Sequence, residues 1–223
     1  MDVAIFDLDG TLVDTAPDII DALNRTLSNQ GLTPIDDATG RGFIGGGARK
    51  MVVDGLAESA GQPAEEREID DAYAQFINYY TEKFAVQSRL YPGVREALDA
   101  LADMGLAMGV CTNKPHALSL DVLDAFGLLK YFRSVIGGDA VPEQKPAAGH
   151  LLETARRSAP GFSRAIMVGD STTDVAAARN ASVPVIVVNY GYTVTPVSAL
   201  GADAIISDMR ELIALLPTFW KTA

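Results

Sequence analysis

Val3-Ala4-Ile5-Phe6-Asp7-Leu8-Asp9-Gly10-Thr11 carries an apolar run straight into two carboxylates and a turn. Four apolar residues closed by an Asp-Gly pair read as a buried β-strand that stops at Gly10. Side chains two positions apart on a strand share a side. Asp7 and Asp9 therefore converge at a carboxyl strand end, where open α/β sheets place their chemistry. Like charges that close repel strongly unless a cation or a shared proton relieves them. The pair reads as a divalent-metal site with one carboxylate left to act as nucleophile. The alternative is a strand that ends in an Asp-Gly turn, with Asp9 capping backbone.

Working outward, Thr15-Ala16-Pro17-Asp18 reads as a helix start, with a hydroxyl cap and proline in the first turn. From there to about residue 85 the apolar spacing is helical: Ile19, Ile20, Leu23 and Leu27, then Val52, Val53 and Leu56, then Tyr73, Phe76, Ile77 and Tyr80. No strand interrupts that block. From about residue 92 helices and β-branched runs alternate. The strand candidates are 106–111, 134–136, 165–168, 184–188 and 204–206; the helix candidates are 94–104, 117–126, 148–157, 174–181 and 209–216. Alternation of this kind predicts an α/β fold, a doubly wound parallel-sheet (Rossmann-like) core covered on both faces. A small all-helical cap is inserted after the first strand. The predicted division is a core of 1–14 and 88–223 with a cap of 15–87. Two connections, near 12–15 and 84–92, cross between the parts and suit a hinged lid.

Composition limits the function classes. The 223 residues are 48% hydrophobic and 21% charged, which suits a globular protein with a sizeable core. The net charge of −11 argues against a nucleic-acid partner, since phosphate contacts need clustered Lys and Arg. An anionic substrate must then be captured by a local positive site. The single cysteine, Cys111, forms no internal disulfide and sits in an apolar run, which predicts a packed thiol in a reducing, cytoplasmic compartment. No apolar run approaches the length of a membrane span, so no membrane role is expected. The sequence leaves monomer and homodimer open.

Three more polar stations follow predicted core strands. Thr112-Asn113 offers a hydroxyl and backbone amides for phosphate oxygens, or a simple helix cap before Pro115. Lys145, just before Pro146, would neutralise a carboxylate and a phosphoryl oxygen together, or be a solvated charge. Asp170 and Asp174 flank Ser171-Thr172-Thr173 and face one region, or cap the next helix. With Asp7 and Asp9 they make a set of hard oxygen ligands, which selects Mg²⁺ over Ca²⁺ in the absence of an EF-hand loop. In the helical block, Gly45-Gly46-Gly47 lets backbone amides approach an anionic substrate end, with Lys50 or Arg49 adding a cation. A flexible loop is the plainer reading of that triplet. His116, His150 and Trp220 carry no expected task.

Taken in order, Asp7-x-Asp9-Gly10-Thr11, Thr112-Asn113, Lys145-Pro146 and Gly169-Asp170-x-x-x-Asp174 resemble the haloacid dehalogenase-like superfamily across nearly the whole chain. Residues 6–18, 111–115, 168–178 and 189–192 are most similar to its phosphoglycolate phosphatases. Gly46, Asp54-Gly55 and Ala147 depart from the pattern frequent in that group. The resemblance implies a Mg²⁺-dependent phosphoric monoester hydrolase acting on a small phosphorylated metabolite, 2-phosphoglycolate first. It also implies roles: Asp7 is the nucleophile and Asp9 the acid and base. Asp7, the Asp9 carbonyl and Asp170 hold the metal. Thr112 binds the phosphoryl group, with backbone amides of the Leu8 to Gly10 turn, Gly10 included, and of Asn113 assisting; Lys145 offsets charge, and Asp174 positions Lys145 or a metal-bound water. Gly46, Gly47 and Lys50 meet the leaving group. The rival readings are a β-phosphoglucomutase-type sugar phosphomutase and a catalytically silent binding module.

Overall fold

The computed structural model describes residues 1–221. β1 (Asp2–Phe6) lies inside a six-stranded parallel sheet and separates two cores. Val3 and Ile5 pack with Leu151, Ala155 and Val185 on one face. Ala4 and Phe6 pack with Leu98, Leu101 and Leu212 on the other. Burial on both faces is why the strand shows no polar alternation.

After β1 the chain leaves the sheet through β2 (Val13–Asp14) into α1 (Ala16–Asn29), α2 (Asp37–Gly42), α3 (Ala48–Ala60) and α4 (Glu66–Lys83). It returns through β3 (Arg89–Leu90), which pairs antiparallel with β2. These two-residue strands occupy the two predicted connections and are too short for any period to reveal. Leu23, Leu27, Val52, Leu56, Phe76 and Tyr80 form the helical block's own core, and Leu118 joins it from below. Phe76 and Tyr80, one turn apart, stack with centroids 5.9 Å apart. Asp18, in the first turn of α1, accepts hydrogen bonds from the Gln87 N–H, the Ser88 N–H and the Ser88 hydroxyl, the last at 2.6 Å. One buried carboxylate thus clasps the outgoing and returning segments.

Beyond β3 the helices and strands alternate as the sequence predicts: α5 (Val94–Asp103), β4 (Ala107–Cys111), α6 (His116–Ala125), β5 (Ser134–Ile136), α7 (Ala148–Ser158), β6 (Arg164–Gly169), α8 (Thr172–Asn180), β7 (Val185–Val188), β8 (Ala204–Ile206) and α9 (Glu211–Lys221). Spatial order is β5-β4-β1-β6-β7-β8, all parallel. The chain runs outward from β1 to β5 and then crosses back to β6, so the winding reverses beside β1, where such sheets open a crevice. α5, α6 and α9 cover one face; α7 and α8 cover the other.

Two local expectations are corrected. Thr15 precedes α1 but makes no side-chain cap, because its hydroxyl donates to Asp9 Oδ1 at 2.6 Å. The last helix begins at Glu211, not Met209, because the Glu211 carboxylate accepts the Ser207 and Asp208 N–H groups. It also continues through Pro217. Among the described residues no helix is long and apolar enough to cross a membrane.

Candidate active site

Neighbouring strands present the polar stations side by side at their carboxyl ends. Asp7 follows β1 and its N–H donates to Val168 O at 2.9 Å; Thr112 follows β4 and its N–H donates to Ile136 O at 3.1 Å. Sheet pairing therefore runs one residue past each strand and fixes both backbones. Asp170 follows β6, and Lys145 comes from the loop before α7.

The Lys145 ammonium lies 3.0 Å from Asp7 Oδ1 and 2.6 Å from Asp174 Oδ1. Asp174 Oδ2 accepts from the Asp170 N–H, the Ser171 N–H and the Ser171 hydroxyl. Asp174 thus makes two sets of contacts: one oxygen caps α8 and the other holds Lys145. Asp170 accepts from the Thr11 hydroxyl at 3.2 Å and from the Tyr192 N–H at 2.7 Å. The Tyr192 hydroxyl in turn accepts from the Thr15 N–H at 2.7 Å and donates to Asp14.

Gly10, expected to offer its amide to a substrate, spends that N–H on Val13 O at 3.0 Å. Its φ of +80° and the absence of a side chain serve Asp170 instead: a Cβ there would strike the Asp170 carboxylate.

Asp7, Asp170 and Asp174 bring carboxylate oxygens within 4.8 Å of one another, all buried. One ammonium faces three carboxylates. Burial, then the charges of Asp174 and Asp9, push Asp7 up to about 7 against the pull of Lys145. Burial and the Asp174 and Asp7 charges also raise Asp170 well above the usual range. An excess of buried, oxygen-only donors is what a hard divalent cation relieves, so the residues fit Mg²⁺. Asp174 is already spent on Lys145 and α8. Asp7 takes both Lys145 and the Leu8 N–H on Oδ1, leaving its other oxygen without a hydrogen-bond partner among the described residues.

Asp9 accepts from Thr15 and pairs with the Lys114 ammonium, whose nitrogen lies 3.1 and 3.2 Å from the two carboxylate oxygens. The Thr112 hydroxyl accepts the Lys114 N–H at 3.3 Å. Beside Asp7 and Asp9 opens a cavity of about 40 Å³, walled by Ile19, Ile44, Met51, Phe76 and Leu118. Asn113 reaches it too, but its side-chain amide donates to Gly45 O and Lys145 O, both at 3.0 Å. It ties the glycine segment to the Lys145 loop, while its Oδ1 is buried without a partner among the described residues.

Gly47 starts α3 at φ +94° and lines the cavity, whereas Gly46 faces an outer groove and its carbonyl accepts from Gln144 Nε2. Lys50, expected to meet the leaving group, instead pairs with Asp54 in that outer groove, its side chain 61% exposed. Arg49 is drawn away by Glu66 and Asp70. Cys111 is packed as expected, burial pushing its thiol up to about 12.

His150, given no task by its sequence context, is fully buried under the Lys145 loop. Its Nδ1 accepts the Lys145 N–H at 3.2 Å, and its Nε2 meets Ile136 O at 3.0 Å, which sets the Nε2–H tautomer. Burial lowers its pKa from 6.5 to about 4. The unfolded chain then binds more protons between pH 4 and 6.5, so stability present above pH 6.5 is lost as pH falls toward 4. Urea unfolding across that window is expected to show His150→Gln losing on the order of 3 kcal/mol less than the parent. Equal slopes would remove His150 from that role.

Residues 4–188 match the haloacid dehalogenase-like hydrolase family. The chain belongs to that family. A phosphoglycolate phosphatase of Agrobacterium fabrum is 43% identical over 96% of this chain and 91% of its own length. One from Caulobacter vibrioides is 43% identical over 93% and 87%. A solved structure described as a predicted phosphoglycolate phosphatase from Haemophilus somnus superposes with a TM-score of 0.88 at 32% identity, covering 96% of this chain and 97% of that one. The expected family and doubly wound fold are borne out. For a haloacid dehalogenase-like hydrolase, the residues that sequence reading missed are Lys114, Tyr80, Tyr192 and His150. Lys114 lies unassigned inside residues 111–115 (Cys-Thr-Asn-Lys-Pro), and Tyr192 inside 189–192 (Asn-Tyr-Gly-Tyr).

Proposed function

We propose that the chain is a Mg²⁺-dependent phosphatase that hydrolyses 2-phosphoglycolate through an aspartyl-phosphate on Asp7. The carrying observation is a buried Asp7 held 3.0 Å from Lys145, with Asp9 beside it on the same small cavity. The names of the relatives at 43% identity support the substrate.

In this reading 1–14 with 88–223 forms the catalytic core and 15–87 the cap. The Asp7 carboxylate attacks phosphorus in line as the ester P–O bond breaks, and Asp9 gives its proton to the departing alkoxide. Water then attacks phosphorus, Asp9 takes the water's proton, and Asp7 leaves as the free carboxylate. Thr112 donates to a phosphoryl oxygen, and Lys145 steadies charge shared by Asp7 and phosphate. Mg²⁺ held by Asp7, the Asp9 carbonyl and Asp170 would neutralise charge on the phosphoryl oxygens. The apolar walls of that cavity, Ile19, Ile44, Met51, Phe76 and Leu118, support a short leaving group over a polyhydroxylated hexose. The packed lone thiol supports a cytoplasmic setting.

Phosphate release by the purified protein with Mg²⁺ tests this across 2-phosphoglycolate, hexose phosphates and an aryl phosphate. Preference for 2-phosphoglycolate is expected; isomerisation of a hexose phosphate instead would select the mutase. Asp9→Asn is expected to form phosphoenzyme yet discharge it roughly 10²–10⁴-fold more slowly. Intact-mass measurement after rapid quench would show the trapped adduct, and its absence would move the acid–base role elsewhere.

A further inference from the structure

We propose that Lys114 is the specificity residue of this site, reading an anionic group on the leaving alcohol one carbon from the ester oxygen. The inference rests on the phosphatase reading above and names what that site selects. Among the described residues that line the cavity next to Asp7 and Asp9, Lys114 is the one cation. Its side chain is 3% exposed.

The geometry matches a short hydroxy acid. Asp9 serves the ester oxygen, and the Lys114 nitrogen lies 3.1 and 3.2 Å from the Asp9 oxygens. A group attached one carbon beyond that ester oxygen therefore falls within reach of the same ammonium. Lys114 gives three hydrogen bonds, two to the Asp9 oxygens and one to the Tyr80 hydroxyl at 2.8 Å, so a substrate carboxylate takes the place of one Asp9 contact. Tyr80 also sets its ring under the ammonium, 4.4 Å from nitrogen to centroid. Phe76 stacks on that ring and fixes it. The surrounding walls are apolar, so an uncharged leaving group would leave the ammonium no new partner. A carboxylate there gains a poorly screened one. The cations first expected to do this, Lys50 and Arg49, are held by acidic residues outside the cavity.

The test compares 2-phosphoglycolate with its amide, 2-phosphoglycolamide, which keeps the size and removes the charge. The readout is the ratio of the two kcat/KM values, because removing a cation beside Asp9 slows both substrates. The parent enzyme is expected to favour the carboxylate by about 10²-fold or more, in line with sites built around a buried polar group. Lys114→Met is expected to collapse that ratio at least about tenfold, chiefly through KM. Lys114→Gln keeps an N–H for Asp9 without the charge and is expected to lose the same preference, whereas Lys114→Arg retains part of it. A ratio unchanged in Met and Gln, with both substrates slowed alike, would overturn the proposal and leave Lys114 a positioning residue for Asp9. Parent enzyme that hydrolyses both esters without preference overturns the proposal and leaves the phosphatase chemistry standing. Release from neither ester overturns both.

Discussion

Asp7→Asn is expected to abolish phosphate release, by on the order of 10⁴-fold or more, with no phosphoenzyme detectable by intact mass. The amide has the size of the carboxylate and cannot supply the oxygen that attacks phosphorus. The fold should not suffer. Three buried carboxylates share one ammonium in this cluster, so removing one charge relieves repulsion while Asp174 still holds Lys145 at 2.6 Å. In chelator, Asp7→Asn should therefore melt no lower than the parent. Added Mg²⁺ should raise its melting temperature less, because one ligand oxygen is gone. Loss of turnover with stability intact separates a missing nucleophile from a damaged fold. Retained turnover would remove Asp7 as nucleophile.

The second large effect is expected at Lys145. Lys145→Met keeps most of the side-chain volume but strips the counter-charge from Asp7 and Asp174, whose side chains are 6% and 0% exposed. Breaking a buried pair by removing one partner costs about 3–5 kcal/mol, because the remaining charge stays buried and unpaired. In a chain of this size that is a fall of roughly 10 °C in melting temperature. Turnover should drop by about 10²–10³-fold or more, since the lost cation also faces the phosphoryl charge. Mg²⁺ should recover part of the stability by replacing positive charge, and little of the activity. Thermal melts with and without Mg²⁺ check the first claim; a melting temperature unchanged in chelator would contradict it.

The sheet could be read from sequence because both of its faces are buried, which makes each central strand an unbroken β-branched or apolar run, as in Val185–Val188. Its helices were found to within two residues, apart from the far end of α9, because their apolar stripes are set by the same burial. What sequence hid was mostly tertiary. Thr15 carries a good cap residue's chemistry, yet an aspartate six residues upstream is the better acceptor. Asp54 stands one helical turn after Lys50 and its claim on that lysine was legible in the chain, whereas nothing in the chain order announces Glu66 and Asp70 as partners of Arg49. Gly10 signalled a turn correctly, while the neighbour that forbids a side chain there, Asp170, comes 160 residues later. Nothing in the chain order announces that Tyr80, from the helical block, closes over Lys114. The nucleophile cluster was legible for the opposite reason: strand ends put its members in register, and the sheet does the gathering.

The clasp at Asp18 bears on how the helical block can move. Two independent tethers would let a flap slide, roll or skew over the opening beneath it. Knotted together at one carboxylate and zipped by the Val13–Leu90 ladder, they behave as a single ribbon. Any movement of that block therefore has this shared edge as its hinge.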